Sequence, residues 1–392
     1  MTPASQPRAR DLGIPFDGEP GVLNAITDVA GLTVGHCTVT QGDAVRTGVT
    51  ALFPLGRDAR DGVPAAVFAF NGTGEMTGAH QIAEYGGFFG PVLLTGTLGV
   101  GTASQASLRW VARQTTDDDL RFTRTLPVVA ETWDGNLHDA WAFALQPEHV
   151  WQALDTARGG PVAEGNVGGG NGMICHGFKG GMGTASRCFE QCGHQHTVGV
   201  LVQANQGLRD DLLLAGLPAG RWIQGSTPEL PADQAAEPVA LGDGSIIVVI
   251  ATDVPLHASQ LARVAKRATV GVARTGGFGG TLSGEIFLAF STAAAGRITV
   301  GDAATNGLSA TASTHPGDAL DPLFHATAWA VEEAIVNALV AADTMTGLHG
   351  LRIHRLPHAP VRALMRRRAQ MLEPEDLADA AAAAAQSTET RP

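Results

Sequence analysis

Between Ile246 and Ala251 the chain has no polar side chain, and directly ahead of this run stand Gly242, Asp243, Gly244 and Ser245. A continuous apolar stretch of this length after a turn signal predicts a strand buried on both faces, with Ser245 as its first residue. A similar run, residues 198–205, predicts a strand that ends in the amide side chain of Asn205, just before Gly207. Residues 21–71 alternate short β-rich runs, such as 31–40 and 64–70, with Gly and Asp turns, and residues 281–291 read as a further strand. Apolar positions at three- and four-residue spacing predict helices over 105–114 and 258–271. Residues 324–345 predict a longer amphipathic helix, with Val331, Ile335 and Leu339 on one face and polar residues opposite. Sheets that face each other under an outer cover of helices, a layered α/β arrangement, fit this order.

No internal repeat and no Pro/Ser-rich or charge-rich linker appears between residues 20 and 365, so residues 1–372 read as one domain despite the length of 392. Residues 373–392, with their alanine run, read as a frayed helix followed by a disordered tail. The formal charge of −12 opposes nucleic acid, and Arg366-Arg367-Arg368 is too short a cluster to reverse that. A neutral or cationic small ligand suits the balance better. No segment has the uncharged length that spans a bilayer, no apolar run follows the early arginines, and four cysteines in such a chain do not form a disulfide framework; the expectation is a cytoplasmic protein with free thiols.

The chemistry has to be assembled from separate segments. A strand beginning at Ser245 holds that hydroxyl against the Gly244 carbonyl, while Gly242 and Gly244 permit dihedrals closed to other residues. This is the arrangement an intramolecular acyl shift requires. Once freed as an N-terminus, Ser245 would carry an α-amino group, of ordinary pKa about 7.7–8.0, able to take the proton of its own hydroxyl. Ser283 and Glu285 are two apart in a strand and share a face, and a carboxylate entering a core demands a partner such as that ammonium. Asn205 at its strand end is able to direct an N–H at an oxyanion, although spacing alone assigns it no role. The plain alternatives are a turn at 242–245, a solvated Ser-x-Glu edge, a turn residue at Asn205, and an ion pair between Glu131 and Arg124.

Other features carry less. Residues 165–183 are Gly-rich but have neither P-loop nor dinucleotide-turn spacing and read as close backbone packing around the site. Cys188, Cys192, His194 and His196 do not match a common zinc pattern, so no metal or other cofactor is expected. His36, His80 and His176 receive no role.

Taken together, the segments resemble the L-aminopeptidase D-amidase/D-esterase family, which includes the β-aminopeptidases. The resemblance rests on residues 24–36 (NAITDVAGLTVGH), 47–50 (TGVT), 71–75 (NGTGE), 129–132 (VAET), 165–173 (GNVGGGNGM), 178–181 (FKGG), Asn205, Gly244-Ser245, 274–277 (RTGG) and 283–285 (SGE), in that order. It implies a four-layer αββα sandwich similar to N-terminal-nucleophile hydrolases. It also implies a precursor that cuts itself at Gly244-Ser245 into an α piece, 1–244, and a β piece, 245–392, which assemble as a homo-oligomer of such pairs. Carried over by residue, it makes Ser245 the nucleophile, Ser283 and Glu285 its companions, Asn205 the oxyanion donor, and Glu131 the carboxylate that meets a substrate's free amino group. Trp133 departs from a tyrosine found in the aminopeptidase branch, which bears on substrate preference because an indole donates but does not titrate. The implied function is a self-processing serine aminopeptidase acting on small peptides, amides or esters. The alternatives are an N-acyl transferase of the ornithine acetyltransferase type, which uses threonine, an uncleaved small-molecule-binding relative, and, weakest, a zinc-dependent hydrolase.

Overall fold

The structure is a computed structural model, describing residues 7–191, 193–231, 244–295, 297–299 and 320–371. The expectations for Gly242, Asp243, Cys192 and the tail from residue 373 lie outside the described residues.

In chain order the strands of the two large sheets and one small hairpin are β1 (Thr33–Gln41), β2 (Val45–Phe53), β3 (Val63–Gly72), β4 (Gly87–Phe88), β5 (Val92–Gly96), β6 (Val128–Thr132), β7 (Ile174–Cys175), β8 (Phe178–Lys179), β9 (Gly181–Gln191), β10 (His194–Gln206), β11 (Gly244–Thr252) and β12 (Gly284–Ser291). One sheet has the order β1-β2-β5-β6 and the other β4-β3-β12-β11-β10-β9; β7 and β8 pair by themselves. Four long helices matter for the layers: α1 (Val100–Gln114), α2 (Pro147–Asp155), α3 (Ala258–Arg274) and α4 (Asp321–Ala341).

The uninterrupted apolar run of β11 follows from its position. Ile246, Val248 and Ile250 point into a core shared with α3 and α4, whereas Ile247, Val249 and Ala251 point into the core between the two sheets. A third core, with Val49, Leu93, Trp110, Val150 and Leu154, lies between the four-stranded sheet and α1 and α2. The layers are therefore helices, sheet, sheet, helices, the αββα sandwich the sequence predicts. β11 and β12 run parallel, which requires a crossover, and α3 supplies it.

Several predicted elements are longer than expected, with α1 starting at Val100, α3 running to Arg274 and β10 spanning His194–Gln206, and two others differ in character. The long helix stops at Ala341, and its polar positions do not face solvent: Glu332, Glu333 and Asn337 are buried. Arg10 and Arg187 reach Glu333 at 2.8 and 2.6 Å, and Arg274 reaches Glu332 at 2.5 Å, so basic residues from other elements replace water on that face. The strand expected over 281–291 begins only at Gly284. Ser283 belongs to the preceding turn, its N–H donating to Gly280 O at 2.9 Å. Asn71 Nδ2 fixes that turn by donating to the carbonyls of Gly280 and Ser283, at 2.5 and 2.6 Å.

Register then gathers the separated segments. Asn205 pairs with Ser245 and Gln206 with Gly244 between β10 and β11, Ile246 pairs with Glu285 between β11 and β12, and Thr95 pairs with Glu131 between β5 and β6. Among the described residues, no helix is long and apolar enough to cross a membrane.

Candidate active site

Gly244 opens β11 with φ of 67°, and a Cβ at that position would lie 1.6 Å from the carbonyl oxygen of Asn205. Only glycine combines this left-handed backbone with this close approach. The next residue, Ser245, is buried to 8% exposure and lines a cavity of about 540 Å³ together with Asn205, Glu131, Trp133, Glu75 and Thr97. The cavity is thus walled by both sheets, with Ser245 and Asn205 from one and Glu131 from the other.

The carboxamide of Asn205 is held at both ends. Its Oδ1 accepts from Ile174 N–H at 2.7 Å, and its Nδ2 donates to the Trp133 carbonyl at 3.0 Å. These bonds settle which end of the amide is the donor and leave the second hydrogen of Nδ2 as a further donor beside Ser245. Gly-rich packing supports this wall: a Cβ at Gly169 would lie 2.1 Å from Gln203 Oε1, and one at Gly170 would lie 2.3 Å from Met182 N. The 165–183 stretch is close backbone packing beside the cavity, as its composition predicts.

Glu131 accepts from the backbone N–H of Glu75 at 2.9 Å and from the hydroxyl of Thr97. The ion pair with Arg124 is not formed, because the Arg124 guanidinium donates to Ala59 O at 2.5 Å. Burial pushes the Glu131 carboxyl above its ordinary range, Thr97 and the Glu75 N–H pull it back, and the charges of Asp134 and Glu75 push it up again. Among the described residues the cavity lining contains Glu75 and Glu131 and no Lys, Arg or His. Such a wall favours a cation. Trp133 is 41% exposed at this cavity, and its ring covers Gly135, where a Cβ would lie 2.1 Å from Cζ2.

Ser283 Oγ donates to Glu285 Oε1, so the two residues expected to act together are in contact. They line a second cavity of about 130 Å³ with Gln206, Asp211 and the Gly276–Gly280 loop. Gly207 lines both cavities, so they adjoin there. Glu285 shares its face of β12 with Phe287 and Ala289 of the helix-side core, whereas Ser245 and Asn205 share theirs with Ile247 and Leu201 of the core between the sheets, which places the pair behind the start of β11.

None of the three histidines lines either cavity. His36 is half-buried and His176 fully buried, and loss of solvent lowers both to about 4 and keeps the imidazoles neutral. His196 is held by Asp253 at 3.0 Å, and Cys188 lies 4.0 Å from the Thr197 hydroxyl. Thr97, Ile174 and the main chain of Glu75 fix the carboxylate and carboxamide and were not singled out for this in the sequence. Their contribution depends on pairings between strands far apart in the chain, and only the Thr95–Glu131 register brings Thr97 to Glu131.

The model of Peptidase family S58 matches residues 24–353. The β-peptidyl aminopeptidase BapA of Sphingosinicella xenopeptidilytica is 48% identical over 373 residues, covering 92% of each chain. That of Sphingosinicella microcystinivorans is 49% identical over 379 residues, covering 93% of each. Among solved structures, the L-aminopeptidase D-Ala-esterase/amidase of Ochrobactrum anthropi, described as a prototype for the serine aminopeptidases and a new variant among the Ntn hydrolase fold, superposes with a TM-score of 0.83 at 43% identity, covering 93% of this chain and 99% of its own. With the layers, the serine at the head of β11 and this similarity along nearly the whole length, the chain belongs to peptidase family S58 and is a serine aminopeptidase on a variant of the N-terminal-nucleophile hydrolase fold.

Proposed function

We propose that Ser245 is both the residue before which the chain cuts itself and the nucleophile of the aminopeptidase reaction. The observation that carries this reading is the junction of a left-handed Gly244 with a buried serine that opens onto an acidic cavity. In maturation, Ser245 Oγ attacks the Gly244 carbonyl carbon, the C–N bond breaks, and the acyl group moves from nitrogen to oxygen. Water then hydrolyses the ester, leaving a carboxylate on Gly244 and a free amine on Ser245, and so an α piece of residues 1–244 and a β piece of residues 245–392.

In turnover, that amine takes the proton of its own hydroxyl as Oγ attacks the first carbonyl of the substrate. Asn205 Nδ2 donates to the oxyanion, a contribution worth about 2.7–4 kcal/mol for one such donor. Glu285, oriented by Ser283, faces the α-ammonium from the second cavity. The leaving amine or alcohol departs with a proton, and water attacks the acyl-enzyme to release the first residue. Glu131 pairs with the substrate's ammonium, so cleavage is restricted to the first residue, and Trp133 shapes the wall that this residue meets. Side chains, the new amine and water supply every step, and no cofactor enters.

The substrates follow as small peptides, amides or esters with a free amino group. Similarity to a β-peptidyl aminopeptidase and to an L-aminopeptidase D-Ala-esterase/amidase supports β-amino acids and D-alanine as first residues alongside L-α-residues. We read the working form as a cytoplasmic homo-oligomer of cleaved pairs. Serine in place of threonine at position 245 speaks against the acyl transferase, and similarity to named aminopeptidases speaks against a binding-only relative. The test compares alanine and β-alanine p-nitroanilides with their N-acetylated forms. Hydrolysis of the free amines alone is expected; equal hydrolysis of the acetylated compounds would overturn the assignment of Glu131.

A further inference from the structure

Lys179 is fully buried, and among the described residues its ammonium has no carboxylate partner. It donates instead to three carbonyls, those of Met173 at 2.8 Å, Gly180 at 2.9 Å and Gly170 at 3.3 Å. An effective cost of several kcal/mol attends the burial of an ion, and three acceptors offset part of it. Methionine would fill the same space without that cost. Burial lowers the Lys179 pKa to about 7, so a substantial cationic fraction persists at neutral pH.

The connection to the site runs through a single peptide unit. The Met173 carbonyl that accepts from Lys179 belongs to the same amide as the Ile174 N–H that donates to Asn205 Oδ1. Gly180 N–H also donates to that carbonyl, at 2.9 Å, which fixes the plane of the amide. Hydrogen bonds in such a chain polarise one another, each by roughly 10–30%. A cation drawing on the Met173 carbonyl makes Ile174 N–H a stronger donor, and that in turn draws on Asn205 Oδ1 and makes Nδ2 a stronger donor.

We propose that Lys179 is the positioning residue of the oxyanion site, its buried charge delivered to Asn205 through the Met173–Ile174 peptide. The inference rests on the reading of Asn205 as the oxyanion donor. It is tested on processed enzyme with alanine p-nitroanilide as substrate, 1-aminoethylboronic acid as a probe that forms a tetrahedral adduct with the serine hydroxyl, and free alanine as a probe that forms none. In Lys179→Met, kcat is expected to fall about tenfold with KM within about twofold, boronic acid affinity to fall by the same factor as kcat, and alanine inhibition to stay unchanged. Parallel loss of affinity for the boronic acid and for alanine, or no loss for either, would overturn the proposal. If Lys179→Met does not yield folded, processed protein, Lys179→Gln, which is neutral but keeps a donor, is read by the same two affinities. Asn205→Ala separates the two claims: if it leaves boronic acid affinity unchanged, the oxyanion reading of Asn205 itself has failed.

Discussion

In the role proposed for it, Glu131 is a side chain whose burial becomes selectivity. Its carboxyl is 5% exposed and is pushed above the ordinary carboxylate range chiefly by loss of solvent. A raised pKa means that the neutral form persists to higher pH and that the ionised form, the one able to hold an ammonium, appears only above the raised value. A bound ammonium favours ionisation, so binding and deprotonation are linked. The acid limb of kcat/KM is therefore expected above the usual range of a glutamate and is expected to be carried by KM. Glu131→Gln should remove that limb and raise KM by at least about tenfold, corresponding to the ~1.5–3 kcal/mol of a hydrogen bond to a charged group. A pH profile of kcat/KM for the two proteins checks this, and an unaltered limb in Glu131→Gln would assign it to another group.

At the scale of elements, α4 is the clearest case of structure redefining a sequence pattern. Its acidic face is covered by arginines from other elements. Burial pushes Glu333 up, but the hydrogen bonds from Arg10 and the charge of Arg187 outweigh it and hold the carboxyl below its usual range. Asn24 Nδ2 adds a further bond at 2.6 Å. Because the Arg187 side chain is completely buried, Glu333→Ala leaves an uncompensated guanidinium in the core. The expected cost is about 3–5 kcal/mol, the range for breaking a buried pair from one side, measured by denaturant unfolding of the variant beside the parent. A cost under about 1 kcal/mol would show that water replaces the carboxylate. The apolar run of β11 and the strand that carries Asn205 next to its end were legible because both-face burial leaves an unbroken pattern in a short segment. The turn that holds Ser283 was not, because it depends on Asn71, more than two hundred positions away. Nor was the service of Lys179, which exists only once the 170–180 segment has folded back upon its own carbonyls. The local chemistry of the site was written in strand ends; its supports were written in tertiary contacts.

At the scale of the whole molecule, four layers bring the ends of β6, β10, β11 and β12 to one edge of the sandwich. Asn205, Ser245 and Glu131 meet there around one cavity, and Ser283 with Glu285 stands behind it. In the proposed mechanism this edge is completed by cutting the chain, which converts an internal serine into an N-terminal one with its own base. The denatured intact mass of freshly purified protein, read beside Ser245→Ala, tests that most directly. Lengths of 244 and 148 residues out of 392 divide the 40.4 kDa chain into pieces of roughly 25 and 15 kDa. Both pieces are expected in the parent, the smaller beginning at Ser245, and one uncut chain in the variant. A single 40.4 kDa species in both proteins, unchanged on long incubation, would contradict it.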